Sequence, residues 1–234
     1  MAIEFILLLL AACLLGSVPA AYLAAKWSCG IDIRQYGSGN VGTTNLLGLT
    51  SKWIAILVIV FDSGKGMAVV WAAQLVGLGI AQQVAIGLAV VIGHNWPVFL
   101  RFNGGRGLLT VLGLALFLPL INGLIPWEVV AFFAIAAIVF FTIHSIPLGT
   151  GVGVVSMPLV SWGAGEPPSL TLGFLAMFLI MVIRRLTAPK TSFAASVPPG
   201  QLLLNRLLFD RDIRDREAWI HRQPVKQEEK QVES

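Results

Sequence analysis

Nine residues, Gly37-Ser38-Gly39-Asn40-Val41-Gly42-Thr43-Thr44-Asn45, form a polar, glycine-rich block in a chain that is otherwise strongly apolar. Glycine lacks a Cβ, so these positions allow left-handed backbone and close approach to a ligand. Successive N–H groups in such a loop can converge into an anion-binding nest. Asn, Thr and Ser side chains add hydrogen-bonding groups, and Arg34 lies three residues upstream of Gly37. The chemistry this predicts is capture of a phosphate at a bilayer surface. Arg34, Gly37, Ser38, Gly39, Asn40, Gly42, Thr44 and Asn45 are the candidate binding set.

A second block, GHNWPVFLRFNGGRG, occupies residues 93–107. Its last four residues open a helix, where unpaired N–H groups and the helix dipole favour an anion. Arg106 is placed there to grip phosphate in bidentate fashion; a topology-setting surface cation is the plainer alternative. His94 is either a pocket residue or a hydrogen-bonded structural histidine at a helix end. Trp96, Phe99 and Phe102 read as an interfacial aromatic belt. A third group, Asp62-Ser63-Gly64-Lys65-Gly66, lies midway along an apolar segment. Asp62 and Lys65 are three apart, share a helix face and can neutralise each other. Ionisable residues within lipid are costly and mark function by default, so Lys65 is a candidate cation in a polar pocket, held by Asp62. An ion pair that only orients the helix bundle is the other reading.

These groups must be positioned by membrane helices. Of 234 residues, 56% are hydrophobic and 12% charged, well below the ~25% charged typical of soluble domains. At about 20 residues per span, the apolar stretches predict an all-α, polytopic membrane domain over residues 1–187. About seven spans are expected, at 2–25, 53–77, 82–100, 107–125, 128–146, 148–163 and 169–187, the sixth short and glycine-rich. Glu4 stands where a secretory signal carries cations, which favours a retained first helix over a cleaved signal. Lys65 apart, 15 of the 16 Lys and Arg residues fall in segments on one side. By the positive-inside rule that side is the cytoplasm, with the N-terminus outside and the C-terminus cytoplasmic. Both glycine-rich blocks then face the cytoplasm.

Residues 188–234 are expected to form a cytoplasmic extension. It comprises a Ser/Ala/Pro linker over 188–200, an amphipathic helix over 201–222 and a disordered polar tail. Leu203, Leu204, Leu207, Leu208 and Phe209 lie on one side of that helix, suited to the membrane interface. The charge run from Asp210 to Glu217 reads as a solvated face. Cys13 and Cys29 offer neither a disulfide framework nor metal spacing, so no metal or cofactor is expected. The net charge of +4 follows from membrane orientation and calls for no nucleic acid.

Several segments, taken in order and spacing, resemble the bacterial acyl-phosphate:glycerol-3-phosphate acyltransferases, small seven-helix membrane enzymes. They are Gly16-Ser17-Val18-Pro19, Tyr22-Leu23, Gly30-Ile31-Asp32-Ile33-Arg34, the 37–45 block, Asp62 with Lys65-Gly66, and residues 93–107. The likeness covers the N-terminal 110 residues. Beyond them it is mainly one of hydropathy, with Asn205-Arg206-Leu207-Leu208 echoing the family's third motif. The resemblance implies acyl transfer from acyl phosphate to the 1-hydroxyl of glycerol 3-phosphate. The product would be 1-acylglycerol 3-phosphate, for phospholipid biosynthesis. It also implies Ser38, Asn45, Lys65, His94 and Arg106 as catalytic residues, with Gly104, Gly105, Gly107 and Asn205 joining the loop in binding substrate. In this family the substrate's own phosphate is thought to help take the hydroxyl proton. In keeping with that, no His-x4-Asp motif occurs, since Phe99, Gly149 and Lys226 stand five after His94, His144 and His221.

Three positions depart from the family pattern. Arg106 replaces the usual Lys, Gly48 stands where the family has Arg, and the lead-in to the third motif is absent. Arg184 and Arg185 are expected to supply the missing cations. The expected partners are glycerol 3-phosphate, acyl phosphate, membrane lipids and the enzyme that makes acyl phosphate. The expected location is the bacterial inner membrane, with the site facing the cytoplasm. Two other classes remain: a weakly active or non-catalytic paralogue that binds anionic lipid or a phosphometabolite, and a lipid or solute transporter. A transporter would show repeat-related broken helices, and the 37–45 block has no counterpart in the second half of the chain.

Overall fold

The computed structural model describes residues 2–189 and 191–220, and the described residues form helices and turns without a strand. Within lipid, backbone N–H and C=O groups must be satisfied inside the segment, and each expected span accordingly folds as helix. α1 (Ala2–Gly16) and α2 (Ala20–Cys29) precede a short α3 (Thr43–Leu47). The bundle continues with α4 (Lys52–Leu75), α5 (Ile80–Asn95), α6 (Leu108–Ile121), α7 (Trp127–Ile143), α8 (Ile146–Gly163) and α9 (Pro168–Leu186). α10 (Pro199–Phe209) and α11 (Arg216–Ile220) follow.

Five segments, Ala2–Cys29, Lys52–Leu75, Ile80–Leu100, Ile146–Gly163 and Pro168–Leu186, are long and apolar enough to cross a bilayer. α6 and α7 are shorter, with 14 and 17 residues. At ~1.5 Å per residue they reach about 21 and 26 Å, against a hydrocarbon core of about 30 Å. The expected first span is two helices, not one. Pro19 lacks an N–H to continue α1, so the chain turns at Ser17-Val18-Pro19 and leaves the Gly16 carbonyl free for another partner.

α1 packs on α5, α4 on α6, α7 on α8, and α9 on both α5 and α8. Glycine is needed where helices cross closely. A Cβ on Gly93 would collide with the Cys13 carbonyl, and one on Gly113 with the Ser63 carbonyl. In lipid, such close backbone packing is what drives helices together. Val70, Val91, Leu114, Phe174 and Met177 lie in the apolar core. Leu57, Phe141 and Trp162 are exposed on the outside, as a lipid-facing surface requires.

The C-terminal region differs from the single helix expected over 201–222. α10 stops at Phe209 because Asp210 takes left-handed backbone, φ 54°. Its buried side is polar: Asn205 and Arg206 are 1% and 4% exposed, whereas Leu203 and Leu204 are 51% and 56% exposed. Ion pairing holds the polar residues inward and leaves the leucines outward, where an interface helix needs them. Arg206 donates to Asp212 at 2.7 Å and to the Leu186 carbonyl at 2.8 Å, which ties α10 to the end of α9. Thr191 donates its hydroxyl to Asp212 at 2.7 Å. The expected linker contains a 3-10 turn at Ser192–Ser196, and the expected disordered tail lies outside the described residues.

Burial pushes the Asp212 carboxyl up, but the bonds from Arg206 and Thr191 outweigh it and hold the group below its ordinary value. Its stabilisation is therefore complete above the ~3.9 of an unfolded aspartate and is lost as pH falls through the lower folded value. Hydrogen exchange across 191–212 is expected to quicken in acid, and Asp212→Asn is expected to exchange fast already at neutral pH. Exchange that ignores acid in the native protein contradicts this assignment.

Candidate active site

The 37–45 loop is organised from within by Asn45. Its Oδ1 accepts the Ser38 N–H at 3.0 Å, and its Nδ2 donates to the Tyr36 and Asn40 carbonyls at 3.1 Å and to Ile33 at 3.2 Å. The amide is therefore spent on backbone, and Asn45 shapes the loop instead of presenting itself to a ligand. Gly37 and Gly39 take left-handed φ of 53° and 67° on either side of Ser38. The Ser38 hydroxyl accepts from the Asn40 N–H at 3.3 Å. Asn40 Oδ1 and Thr43 Oγ1 are buried with no protein partner. Gly42 caps the start of α3, and Thr44 on its first turn is exposed.

Arg34 is paired within its own segment and makes no hydrogen bond to the loop among the described residues. Its guanidinium lies on Asp32, with Nε 2.9 Å from Oδ1 and Nη2 2.6 Å from Oδ2, and sits 5.3 Å from the Tyr22 ring centroid. That guanidinium holds the Asp32 carboxyl below its usual range, and the carboxylate in turn raises Arg34. The expected phosphate ligand is thus already neutralised by its neighbour two residues away.

Lys65 and His94, by contrast, meet. Lys65 Nζ lies 2.9 Å from Asp62 Oδ1, 3.2 Å from the Gly16 carbonyl and 2.7 Å from His94 Nδ1. Asp62 and Lys65 are 2% and 3% exposed. The cluster joins the end of α1, the middle of α4 and the end of α5. Thr110 fastens α6 to the same point by donating to the Asp62 carbonyl at 2.9 Å.

Gly104 and Gly105 lie directly against this cluster. The Gly105 N–H donates to the His94 carbonyl at 3.2 Å. A Cβ on Gly105 would collide with His94 Nε2 and crowd the Val41 carbonyl, so the two glycine-rich blocks touch there. Arg184 holds the opposite side of the turn, donating Nη2 to the Gly104 carbonyl at 2.7 Å and Nε to the Gly105 carbonyl at 3.0 Å. A small cavity lies between the α1–α2 break, from Gly16 to Ala21, and Val41, Pro97, Gly104 and Gly105, with Asp62 and His94 completing its lining. No Lys or Arg is among the lining residues.

The remaining cations lie beyond the glycine turn. Arg106 Nε pairs with Asp210 Oδ1 at 2.6 Å. Arg185 donates to the carbonyls of Leu207 at 2.9 Å and Pro147 at 3.2 Å. Gly107 starts α6 with φ 76°, and a Cβ on it would crowd Asn95 Oδ1. Asn205 is directed elsewhere, donating to the Asp212 carbonyl at 3.0 Å. Among the described residues no three His, Cys, Asp or Glu side chains gather as a metal centre requires.

The Gly16 carbonyl and Asp210 are functional neighbours that residue type alone does not reveal. The first is backbone, signalled only by the Gly-Ser-Val-Pro break. The second sits in a charge run that reads as solvated. Asn95 is a further case: it is fully buried and neither amide atom has a protein partner.

A family model described as glycerol-3-phosphate acyltransferase matches residues 6–191. Glycerol-3-phosphate acyltransferase 5 of Dehalococcoides mccartyi (strain ATCC BAA-2266 / KCTC 15142 / 195) is 41% identical over 235 residues, covering 98% of each chain. The glycerol-3-phosphate acyltransferase of Azotobacter vinelandii (strain DJ / ATCC BAA-1303) is 39% identical over 179 residues, 76% of this chain and 90% of that one. The crystal structure of PlsY (YgiH), an integral membrane glycerol 3-phosphate acyltransferase, in its glycerol 3-phosphate form superposes with a TM-score of 0.70 at 29% identity. The match covers 78% of this chain and 88% of that one.

Removing the Asn45 amide deletes four hydrogen bonds, each worth about 1 kcal/mol net. Asn45→Ala is expected to lower the thermal midpoint in detergent and to open residues 36–45 to protease, while Thr44→Ala does neither. Indistinguishable behaviour of the two variants contradicts the structural role of Asn45.

Proposed function

Because the chain belongs to the glycerol-3-phosphate acyltransferase family, we propose that this integral membrane acyltransferase moves an acyl group from acyl phosphate to the 1-hydroxyl of glycerol 3-phosphate. The hydroxyl oxygen bonds to the carbonyl carbon, the bond from that carbon to the phosphate oxygen breaks, and the hydroxyl proton leaves on the phosphate. The products are 1-acylglycerol 3-phosphate and inorganic phosphate. One observation carries the reading. The Gly104–Gly105 turn borders a cavity shared with the Lys65 cluster, Arg184 holds both of its carbonyls, and Arg106 follows it directly, so positive charge gathers around the glycine turn.

An acyl phosphate arrives activated, so most of the catalytic task is to position two anions and exclude water. The His94 Nδ1 is engaged by Lys65 at 2.7 Å and is not free to take the hydroxyl proton, which supports phosphate as the acceptor. Ser38 and the glycine N–H groups of the 37–45 loop are suited to one phosphate, and Arg106 to the other. The concentration of cations in one set of segments supports a site facing the cytoplasm from the bacterial inner membrane, within reach of an enzyme that forms acyl phosphate. One observation favours a second reading, binding without efficient turnover: the Asp210 carboxylate occupies the Arg106 guanidinium.

Purified protein given radiolabelled glycerol 3-phosphate is expected to form lysophosphatidic acid with palmitoyl phosphate and none with palmitoyl-CoA. Arg106→Ala is expected to lower kcat/KM by about ten- to a hundred-fold, the loss of one bond to a charged group. Product from palmitoyl-CoA alone contradicts the donor assignment. Turnover that emerges only in Asp210→Asn favours the second reading.

A further inference from the structure

The end of the bundle away from Arg184 and Arg185 holds two carboxylates and no Lys or Arg to meet them. Glu128 is the second residue of α7, and Glu166 lies in the turn between α8 and α9, just before α9 begins. α9 has 19 residues and so keeps Glu166 about 28 Å from the arginines in its last turn. No Lys or Arg occurs between Lys65 and Arg101, or between Arg106 and Arg184, so α5 to α8 bring no such cation to that end.

Glu128 is 0% exposed, and among the described residues no other residue donates a hydrogen bond to either of its oxygens. What it meets is the Glu166 carboxyl, within hydrogen-bonding reach. Phe132, one turn along, lies against Gly153, which sets this face of α7 toward α8. Ser161 is buried beside the pair. It donates its hydroxyl to Glu166 Oε2 at 2.8 Å and receives that of Thr171 at 2.9 Å. The run of donors ends on Glu166, which accepts as an ionised carboxylate does. The start of α7 favours the ionised form of Glu128 as well.

Two facing carboxylates carry two negative charges. One shared proton leaves a net charge in the interior, where charges have to be paired or metal-bound; a divalent cation neutralises both. The groups gathered here offer oxygen alone, from two carboxylates and two hydroxyls, which suits Mg2+ or Ca2+ and not a metal that prefers imidazole or thiolate. A hard cation that keeps part of its water shell needs only one or two carboxylates, fewer than the gathering of three that is missing among the described residues. Trp127 and Trp162, next to Glu128 and near Glu166, are exposed on the outside of the bundle. Tryptophans settle at headgroup level, which puts the pair at the water boundary, within reach of an ion that need not cross hydrocarbon.

We propose that Glu128 and Glu166 bind a single Mg2+ or Ca2+ ion, which fastens the start of α7 to the α8–α9 turn. The site is separate from the glycine turn and the Lys65 cluster, and it does not depend on the identity of the acyl donor.

Protein purified in detergent and stripped with EDTA tests this. Equilibrium dialysis against radioactive calcium, and against Mg2+ read by atomic absorption, is expected to find a single ion per chain. The thermal midpoint is expected to rise by about 5 °C or more at saturating Mg2+ or Ca2+, and not with NaCl of equal ionic strength. Glu128→Gln and Glu166→Gln are each expected to lose both the ion and the rise, while remaining as stable in EDTA as the native protein. Glu166, the less buried of the two, decides alone where Glu128→Gln does not fold. Three results overturn the proposal. The native protein binds neither ion in dialysis; its stability follows pH and ignores both ions, as a pair sharing one proton requires; or a folded variant keeps the ion, which places it elsewhere.

Discussion

An ammonium buried among helices needs as many acceptors as it has protons, and Lys65 finds its three on three different helices. Asp62 is one turn away on α4, Gly16 offers the last carbonyl of α1, and His94 stands at the end of α5. Breaking a buried charge pair by deleting one partner costs about 3–5 kcal/mol, so the positions of these helices are mutually constrained. α1 has to end at Gly16, because a carbonyl inside a helix is already bonded four residues on. Gly93 has to lack a Cβ, because α5 lies on the backbone of α1 near Cys13. The Pro19 break and the glycine at position 93 are thus parts of one solution to the solvation of a single charge.

The same cluster sets one wall of the reaction space. His94 lies against Gly105 and Arg184 holds the Gly104 and Gly105 carbonyls, so the glycine turn is fixed between the Lys65 cluster and a guanidinium group. Among the described residues, the hydrogen bonds of Arg184 and Arg185 go to carbonyl oxygens. Asp210 is the carboxylate that meets Arg106. Arg106, Arg184 and Arg185 thus bring three guanidinium groups to the segments that follow and face the glycine turn.

The fold was legible in sequence because lipid leaves the chain so few options. Apolar runs marked the spans, though not the division of the first into α1 and α2, and the place of Lys65 on an apolar segment marked the buried cation. What could not be read was which carboxylate each cation takes. Arg34 looked like a phosphate ligand, yet Asp32 is close enough in sequence to claim it. Asp210 looked solvated, yet α10 folds back and delivers it to Arg106 over a separation of 104 residues. Asn45 lies on α3, and only the path of the backbone shows that its amide is consumed by the preceding loop. The ion pairs that bury Arg206 and Asn205 on the other side of α10 leave no periodic signal in the sequence.

The gathering of positive charge around the Gly104–Gly105 turn is the central claim, and a structure with an acyl phosphonate, in which the bridging oxygen is replaced to block transfer, tests it most directly. The account predicts the phosphonate about 3 Å from the Arg106 guanidinium, a normal hydrogen-bond distance. A phosphonate seated in the cavity against His94 and Asp62 would contradict it.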